Sequence, residues 1–359
     1  MSKVSVLMAT YNGAPYIAEQ LESIGRQTHL PHELWVTDDG SSDDTLRIVS
    51  AFAERARFPV RIRMNTQRLG YGENFLSAAM LCEGEFIAFC DQDDEWHPEK
   101  LERCVGALER EGALLCAHTA TLIDAESRYL GYFDQGIART ETYPPLHLPP
   151  WEVFFGMTEV FRRDLLGLID IKHRGLDSHT LNSQLAHDRW VYFLAHSLGK
   201  VVTLAHPLVA YRQHGKNAYG GLKKSLMTRL RGKLVGSADI LRKHEAMALH
   251  RAHVLAELSK TPAGGAVADQ ARAAAAYWRR LGDIYALRAR LYDGTTFGAR
   301  RSALARLVGR GAYRTGGGAI STKVLMKDVM LGLFRIPVSR AGPARHRRGK
   351  SGIRVEDKS

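Results

Sequence analysis

The sequence is poor in cysteine, with four residues in 359: Cys82, Cys90, Cys104 and Cys116. Their spacings fit no zinc pattern. So few thiols also exclude a disulfide scaffold, which leaves reduced, buried thiols in a cytosolic protein as the expectation. No run approaches the ~20 consecutive apolar residues of a bilayer-spanning helix. No cleavable leader is read at the start, because Met1-Ser2-Lys3 runs directly into a strand-like segment. Three signatures are missing. The lack of Gly-x-Gly-x-x-Gly after the first strand argues against a dinucleotide-binding domain, and the lack of Gly-x-x-x-x-Gly-Lys-Ser/Thr excludes a P-loop. Without Gly-x-Ser-x-Gly there is no nucleophile elbow. Internal repeats are absent too.

Acidic residues are scarce in one half only. Residues 1 to 215 carry 20 basic side chains against 29 acidic ones, a net −9. Residues 216 to 359 carry 30 against 9, a net +21, which gives the chain its overall +12. An acidic part suits chemistry or metal binding, and a basic part suits phosphate, in lipid or nucleic acid.

The acidic part alternates strands and helices. Val4 to Ala9 is a short apolar run that predicts a buried strand. Further strands are expected at 33–37, 60–64, 86–90 and 114–123, with helices at 15–27, from the Asp38 turn to 57, at 73–82 and around Pro98. This alternation predicts an α/β fold with a mostly parallel sheet and helices on both faces. Residues 134–150, rich in Pro, Tyr and His, read as a loop over the site. After Gly220 the composition becomes basic and Ala-rich, with helices expected at 222–260, 266–292 and 320–334. Three units follow: a catalytic domain at 1–220, a basic helical region at 221–340 and a disordered basic tail at 341–359.

In such sheets ligands bind beyond the carboxyl ends of the strands. Thr10-Tyr11-Asn12, Asp38-Asp39 and Asp91-Gln92-Asp93-Asp94 each follow a strand directly. Three strand ends therefore turn polar residues to one edge. Three carboxylates within four residues repel one another, which makes sense if Mg²⁺ or Mn²⁺ binds there and bridges phosphate oxygens. A solvated turn that caps the next helix reads equally well from that motif alone. Asp188 opens an apolar helical stretch. It is either an N-terminal cap or a general base. His214 is either structural or completes a metal shell.

Taken in order, these stretches resemble the family 2 glycosyltransferases of GT-A fold. They are Val4 to Gly13, Thr37-Asp38-Asp39-Gly40-Ser41, Phe89 to Trp96 and His187-Asp188, within residues 3–219. The Asp-Gln-Asp-Asp-x-Trp form and the Tyr-Arg-Gln-His-x-x-Asn ending look most like rhamnosyltransferase-type members acting on bacterial cell-surface polysaccharide. The resemblance implies an inverting, metal-dependent transfer of a sugar from a nucleoside-diphosphate sugar, dTDP-rhamnose on the finer match. The acceptor would be a hydroxyl of a glycan or lipid-linked glycan. It implies that Thr10 and Tyr11 cradle the nucleotide, that Asp39 reads the base with Asp38 beside it, and that Arg68 meets the donor. Asp91 would serve as a donor carboxylate, Asp93 as metal ligand, His214 as a further group at the metal or diphosphate, and Asp188 as catalytic base. Gly156-Met157-Thr158 would flank the acceptor pocket. The basic C-terminal region matches nothing common to the family.

Two other functions fit the residues less well. A sugar nucleotidyltransferase also uses acidic metal sites on an α/β sheet. A silent nucleotide-sugar-binding protein would not need both the acidic cluster and Asp188. The basic region reads either as a solvated helical surface or as a face for anionic lipid, with the protein peripheral to the inner face of the cell membrane. No nucleic-acid module accompanies the charge, which argues against nucleic acid as a partner.

Overall fold

The computed structural model describes residues 2–152, 154–177, 183–214, 238–313 and 322–335. The expected boundary at 220, the start of the 222–260 helix, the Gly316–Gly318 run and the 341–359 tail lie outside the described residues.

Four parallel strands form one half of the sheet: β1 (Val4–Thr10), β2 (Glu33–Asp38), β3 (Val60–Met64) and β4 (Phe86–Cys90), in the order β3-β2-β1-β4. Helices α1 (Ile17–Gly25), α2 (Thr45–Ala53) and α3 (Tyr71–Ala79) connect them. Next come β5 (Glu95–Trp96), α4 (Lys100–Glu111), β6 (Leu115–Ile123), β7 (Tyr129–Phe133) and β8 (Glu141–Tyr143). They are followed by β9 (Glu159–Arg162), α5 (His187–Leu198) and β10 (Val201–Arg212). The sheet continues from β4 through β9, β6 and β10 to β5. β6 and β10 are parallel, whereas β9 lies antiparallel between β4 and β6. The β4 and β6 segments, expected to be successive strands of a parallel sheet, are thus separated by a four-residue strand from beside Gly156. Within the expected 134–150 loop, β8 pairs with β10.

Register sets the site. Thr10 pairs with Asp38 and Met8 with Cys90, so β1, β2 and β4 end at the same edge. The three polar clusters start there together.

α3 begins at Tyr71 rather than Glu73. Gly70, at φ +81°, precedes it and accepts the Asn74 N–H at 2.9 Å. That left-handed backbone suits glycine and sets the helix start. α4 ends on Gly112 in the left-handed conformation, a common helix stop.

The basic part supplies α6 (Ala238–Leu258), α7 (Ala268–Asp293), α8 (Phe297–Gly309) and α9 (Thr322–Lys327), the last continuing as a widened π turn over Asp328–Leu333. α8 is an addition to the expected helices. Thr296 caps it, its hydroxyl accepting the Ala299 N–H at 3.2 Å, a start signal that Gly298 obscures in the sequence.

The sheet is covered on both faces. On one, α1, α2 and α4 pack on Val6, Met8, Val36 and Ala88. On the other, α3 and α5 pack on Leu7, Phe89 and Phe161, and α6 and α7 extend that same core outward. α5 is buried nearly all round because it lies between the sheet and those helices. Trp278 of α7 is fully buried and its indole N–H donates to Ser197 Oγ of α5 at 3.0 Å. Arg251 of α6 lies under the same layer, its guanidinium 4.6 Å from the Trp278 and Trp151 ring centres and 4.9 Å from Phe193. The C-terminal helices therefore brace the element that carries Asp188. All four cysteines are buried and unpaired. No helix among the described residues is long and apolar enough to cross a membrane.

Candidate active site

A cavity of about 380 Å³ opens at the shared strand edge. Thr10, Tyr11, Asp39, Arg68, Asp91, Gln92, Asp93, Gly156, Met157, His187 and Asp188 are among the residues that line it. It thus brings together seven of the nine predicted residues. Asp38 lies beneath it, and His214 reaches it through Asp93.

The floor is a network of strand-end loops. Asp38 is fully buried and accepts hydrogen bonds from Thr10 Oγ1 (2.7 Å), Gly40 N (3.0 Å), Ser41 N (2.7 Å) and Ser41 Oγ (2.5 Å). Its carboxylate is therefore engaged in the turn and does not line the cavity; Thr10 is engaged with it. Asp39 does line the cavity. Its carboxylate accepts the backbone N–H groups of Leu69 and Gly70, each at 2.7 Å, and Asn65 Nδ2 at 3.1 Å. These bonds draw the 65–70 loop over the site. They also carry Arg68 to the Tyr11 ring, where the guanidinium carbon lies 3.9 Å from the ring centre.

Gln92 ties the third loop to the first. Its side chain accepts the Tyr11 N–H at 2.9 Å and donates to Tyr11 O at 3.2 Å. A Cβ at Gly13 would stand 2.3 Å from Gln92 Oε1, so the loop fits around glycine. This clamp was hidden in the sequence by the more conspicuous carboxylates around it.

The acidic turn is held from below by Arg212, at the end of β10. Arg212 is fully buried and donates to Asp93 O (2.8 Å), Glu95 Oε1 (2.7 Å), Glu19 Oε2 (2.5 Å) and Ser127 Oγ (2.9 Å). Its backbone N–H donates to Asp94 Oδ1 at 3.0 Å. Asp94 is fully buried, and burial pushes its pKa well above the carboxylate range, aided by the charges of Asp93 and Asp91. Buried Lys100 donates to Met157 O at 2.6 Å and lies 3.5 Å from the Trp96 ring centre, so it ties the Gly156-Met157 wall to α4. Sequence patterns assign such charges to the surface, and none of the three was singled out for its burial.

Two carboxylates face the cavity with raised pKa values. Asp91 is raised to about 7 by burial, then by the charges of Asp93 and Asp188. Asp188, in the first turn of α5, is raised to about 6, mainly by burial and against the pull of Arg189. Perturbed carboxylates in a cleft mark a site where protons or cations are handled. The neighbouring His187 is packed flat on Phe75, with ring centres 4.1 Å apart, and burial lowers its pKa to about 3. It is a neutral spacer. A Cβ on Gly156 would meet His187 Nε2 at 2.5 Å, so glycine lets this wall close on α5.

His214 Nε2 and Asp93 Oδ2 lie 2.8 Å apart, with the His214 ring stacked 4.8 Å from that of Tyr16. At that distance the pair is hydrogen-bonded, the imidazole N–H donating to the carboxylate, so His214 orients the Asp93 side chain. Among the described residues no group of three or more His, Cys, Asp or Glu side chains could enclose a metal. The donor set fits a cation that one or two protein ligands share with substrate phosphates, as Mg²⁺ sites commonly do.

The chain is similar to several known proteins. Residues 5–166 match the family model described as Glycosyl transferase family 2. A glycosyltransferase of Nostoc sp. is 28% identical over 220 residues, covering 60% of this chain and 66% of its own length. The dTDP-rhamnosyl transferase RfbG of Shigella flexneri is 27% identical over 224 residues, covering 59% of this chain and 73% of its own. Residues 1–349 of S. aureus TarS, solved with UDP-GlcNAc, superpose with a TM-score of 0.51 at 18% identity, covering 86% of this chain and 81% of that one. Residues 5–166 are thus similar to the family 2 glycosyltransferases, and the sheet and helices have the GT-A fold.

Proposed function

We propose that the chain is an inverting glycosyltransferase that moves a sugar from a nucleoside-diphosphate sugar to a hydroxyl of a glycan or lipid-linked glycan in cell-surface polysaccharide synthesis. The observation that carries this reading is that Asp188 and the Asp91–Asp93 pair line one cavity. The pair suits a diphosphate with its cation, and Asp188 suits a base.

Asp39, Arg68 and Tyr11 would hold the nucleoside, with Thr10 and Asp38 fixing the loops beneath. The diphosphate would lie toward Asp91, Asp93 and His214. The last two would hold Mg²⁺ or Mn²⁺, which would offset charge developing on the leaving diphosphate. Asp188 would take the proton of the acceptor hydroxyl. The acceptor oxygen forms its bond to the anomeric carbon as the bond to the diphosphate oxygen breaks, through an oxocarbenium-like state. One displacement inverts the anomeric centre, so no enzyme nucleophile is required. The Shigella relative's name supports dTDP-rhamnose as the donor to test first. A lipid-linked acceptor would bring the chain to the inner membrane face as a peripheral protein.

The test is calorimetric titration of nucleotide sugars, dTDP-rhamnose first, with and without Mn²⁺ or Mg²⁺, on wild type and Asp93→Ala. One nucleotide sugar should bind, with affinity increased by the cation. The variant should lose at least about tenfold of that increase, the scale on which perturbed metal sites fail. If no nucleotide sugar binds and the variant matches wild type, the acidic cluster is a solvated turn and the proposal fails.

A further inference from the structure

We propose that the C-terminal helical face carrying Met326, Met330, Phe334 and Phe297 docks on an anionic lipid bilayer. This deepens the reading above, since it supplies the surface that a lipid-linked acceptor requires. Its evidence is separate from the active site.

The four side chains are exposed, Met326 by 67%, Met330 by 46%, Phe334 by 58% and Phe297 by 50%. The first three are four residues apart along α9, its π turn and the residue that caps it, so they form one stripe. Phe297, opening α8, extends it: its ring centre is 6.1 Å from that of Phe334. Isolated exposed apolar residues need no explanation, but a contiguous set of large ones marks an interaction surface.

The stripe cannot roll inward. On the opposite side of the same element, Asp328 is fully buried and receives Arg288 at 2.7 and 2.9 Å, Tyr292 OH at 2.9 Å and Tyr313 OH at 2.8 Å. Gly332 lies against Leu291, where a Cβ would come within 2.7 Å, and Leu333 joins Leu307 in the local core. These anchors fix which face looks out.

The surround is cationic. Arg300 donates to Leu333 O at 3.0 Å, and Arg335 to Gly294 O at 2.9 Å, which sets both guanidinium groups beside the stripe. Arg301 and Arg306 are exposed on α8. The neighbouring acids are already paired, Asp328 with Arg288 and Asp293 with Arg242. The sequence beyond Arg335 adds seven basic residues against two acidic ones. Met and Phe side chains rimmed by arginine fit acyl chains below anionic headgroups. A nucleic acid would use the charge but not the stripe, and an apolar protein partner the stripe but not the charge.

The test is co-sedimentation of the full chain with vesicles of phosphatidylcholine alone, and of phosphatidylcholine with about one third phosphatidylglycerol. Wild type should pellet with the anionic vesicles only, and added salt should release it. Met326→Ser/Met330→Ser/Phe334→Ser should weaken binding at least about tenfold, and Arg301→Glu/Arg306→Glu should weaken it with the stripe intact. Unchanged melting temperatures establish that both variants are folded. No binding to anionic vesicles, equal binding to neutral ones, or wild-type binding by the triple variant would each overturn the proposal. So would a self-associated wild type that the triple variant renders monomeric, since the stripe would then be covered by a second copy. Donor affinity, read on the same samples, separates the two claims. Its absence in wild type would sink the transferase reading and leave the lipid result standing.

Discussion

Asp188→Asn is expected to lower the rate of sugar transfer by about 10²- to 10⁴-fold, the usual contribution of a positioned general base. Donor affinity should stay near that of wild type, because a general base acts on the acceptor hydroxyl in the transition state rather than on the bound donor. The loss should therefore fall on kcat rather than on donor KM. The pH profile gives a second readout. Burial raises Asp188 to about 6, so it carries a proton at pH 5 and has lost it by pH 7. Wild-type transfer should rise with pH through about 6 and then level off. The residual activity of the Asn variant should lack that rise.

Stability moves in the opposite direction, which keeps a folding defect from passing as a catalytic one. A carboxyl whose pKa is higher folded than unfolded favours the folded state at low pH. That contribution is complete below the unfolded value and is lost as pH rises through the folded value near 6. Removing the charge should leave the Asn variant at least as stable as wild type at neutral pH. A variant that lost activity and melted earlier at pH 7 would point to a structural Asp188 and remove the base from the mechanism. Glu159 gives the same wall a further buried carboxyl. It is fully buried, with no hydrogen-bond partner for either oxygen among the described residues, and burial and Asp188 raise its pKa well above the usual range. A protonated neighbour of this kind keeps a second negative charge away from the base.

The strand-end clusters were legible because they depend only on local order: an apolar run followed at once by polar residues, three times over. Parallel register then put Thr10, Asp38 and Asp91 at one edge. What each side chain touches was not legible. Asp38 and Asp39 are adjacent, yet one is engaged beneath the floor and the other faces the cavity, because successive side chains at the end of a strand point to opposite sides. Strand β9 has no period to read in Glu159-Val160-Phe161-Arg162, and only long-range pairing with β4 and β6 makes it a strand. Lys100, Glu159 and Arg212 are charges that composition assigns to water. Each is buried by segments remote in the chain, and no local pattern announces that. The brace on α5 is similarly remote, since Trp278 and Arg251 come from the half of the chain whose charge suggested a separate task.

Arg212 is where that illegible part has its largest expected effect. Arg212→Met should cost about 3–5 kcal/mol of stability, the range found when one member of a buried charged network is removed. Methionine can fill much of the volume but donates nothing. The carbonyls of Asp93, Asp124 and Ala125 and the hydroxyl of Ser127 would lose their donor, and Glu19 and Glu95 their cation. Arg212→Lys should recover little, because a single ammonium cannot reproduce a planar fork that reaches three segments at once. Urea unfolding should show a lower midpoint with an unchanged slope. Donor binding should fall in parallel, because the Asp93 backbone carbonyl is one of the groups released and the acidic turn would lose its position against His214. Asp93→Ala separates the two effects: it removes the proposed ligand while the Arg212 network stays in place, so it should lose cation-dependent donor binding at near-wild-type stability. If Arg212→Met lost less than about 1 kcal/mol, a value typical of surface ion pairs, then the turn would be held by its neighbours and the guanidinium would be one contact among many. If it lost the full amount while donor affinity survived, Arg212 would hold β10 and β5 without setting the geometry of the acidic turn.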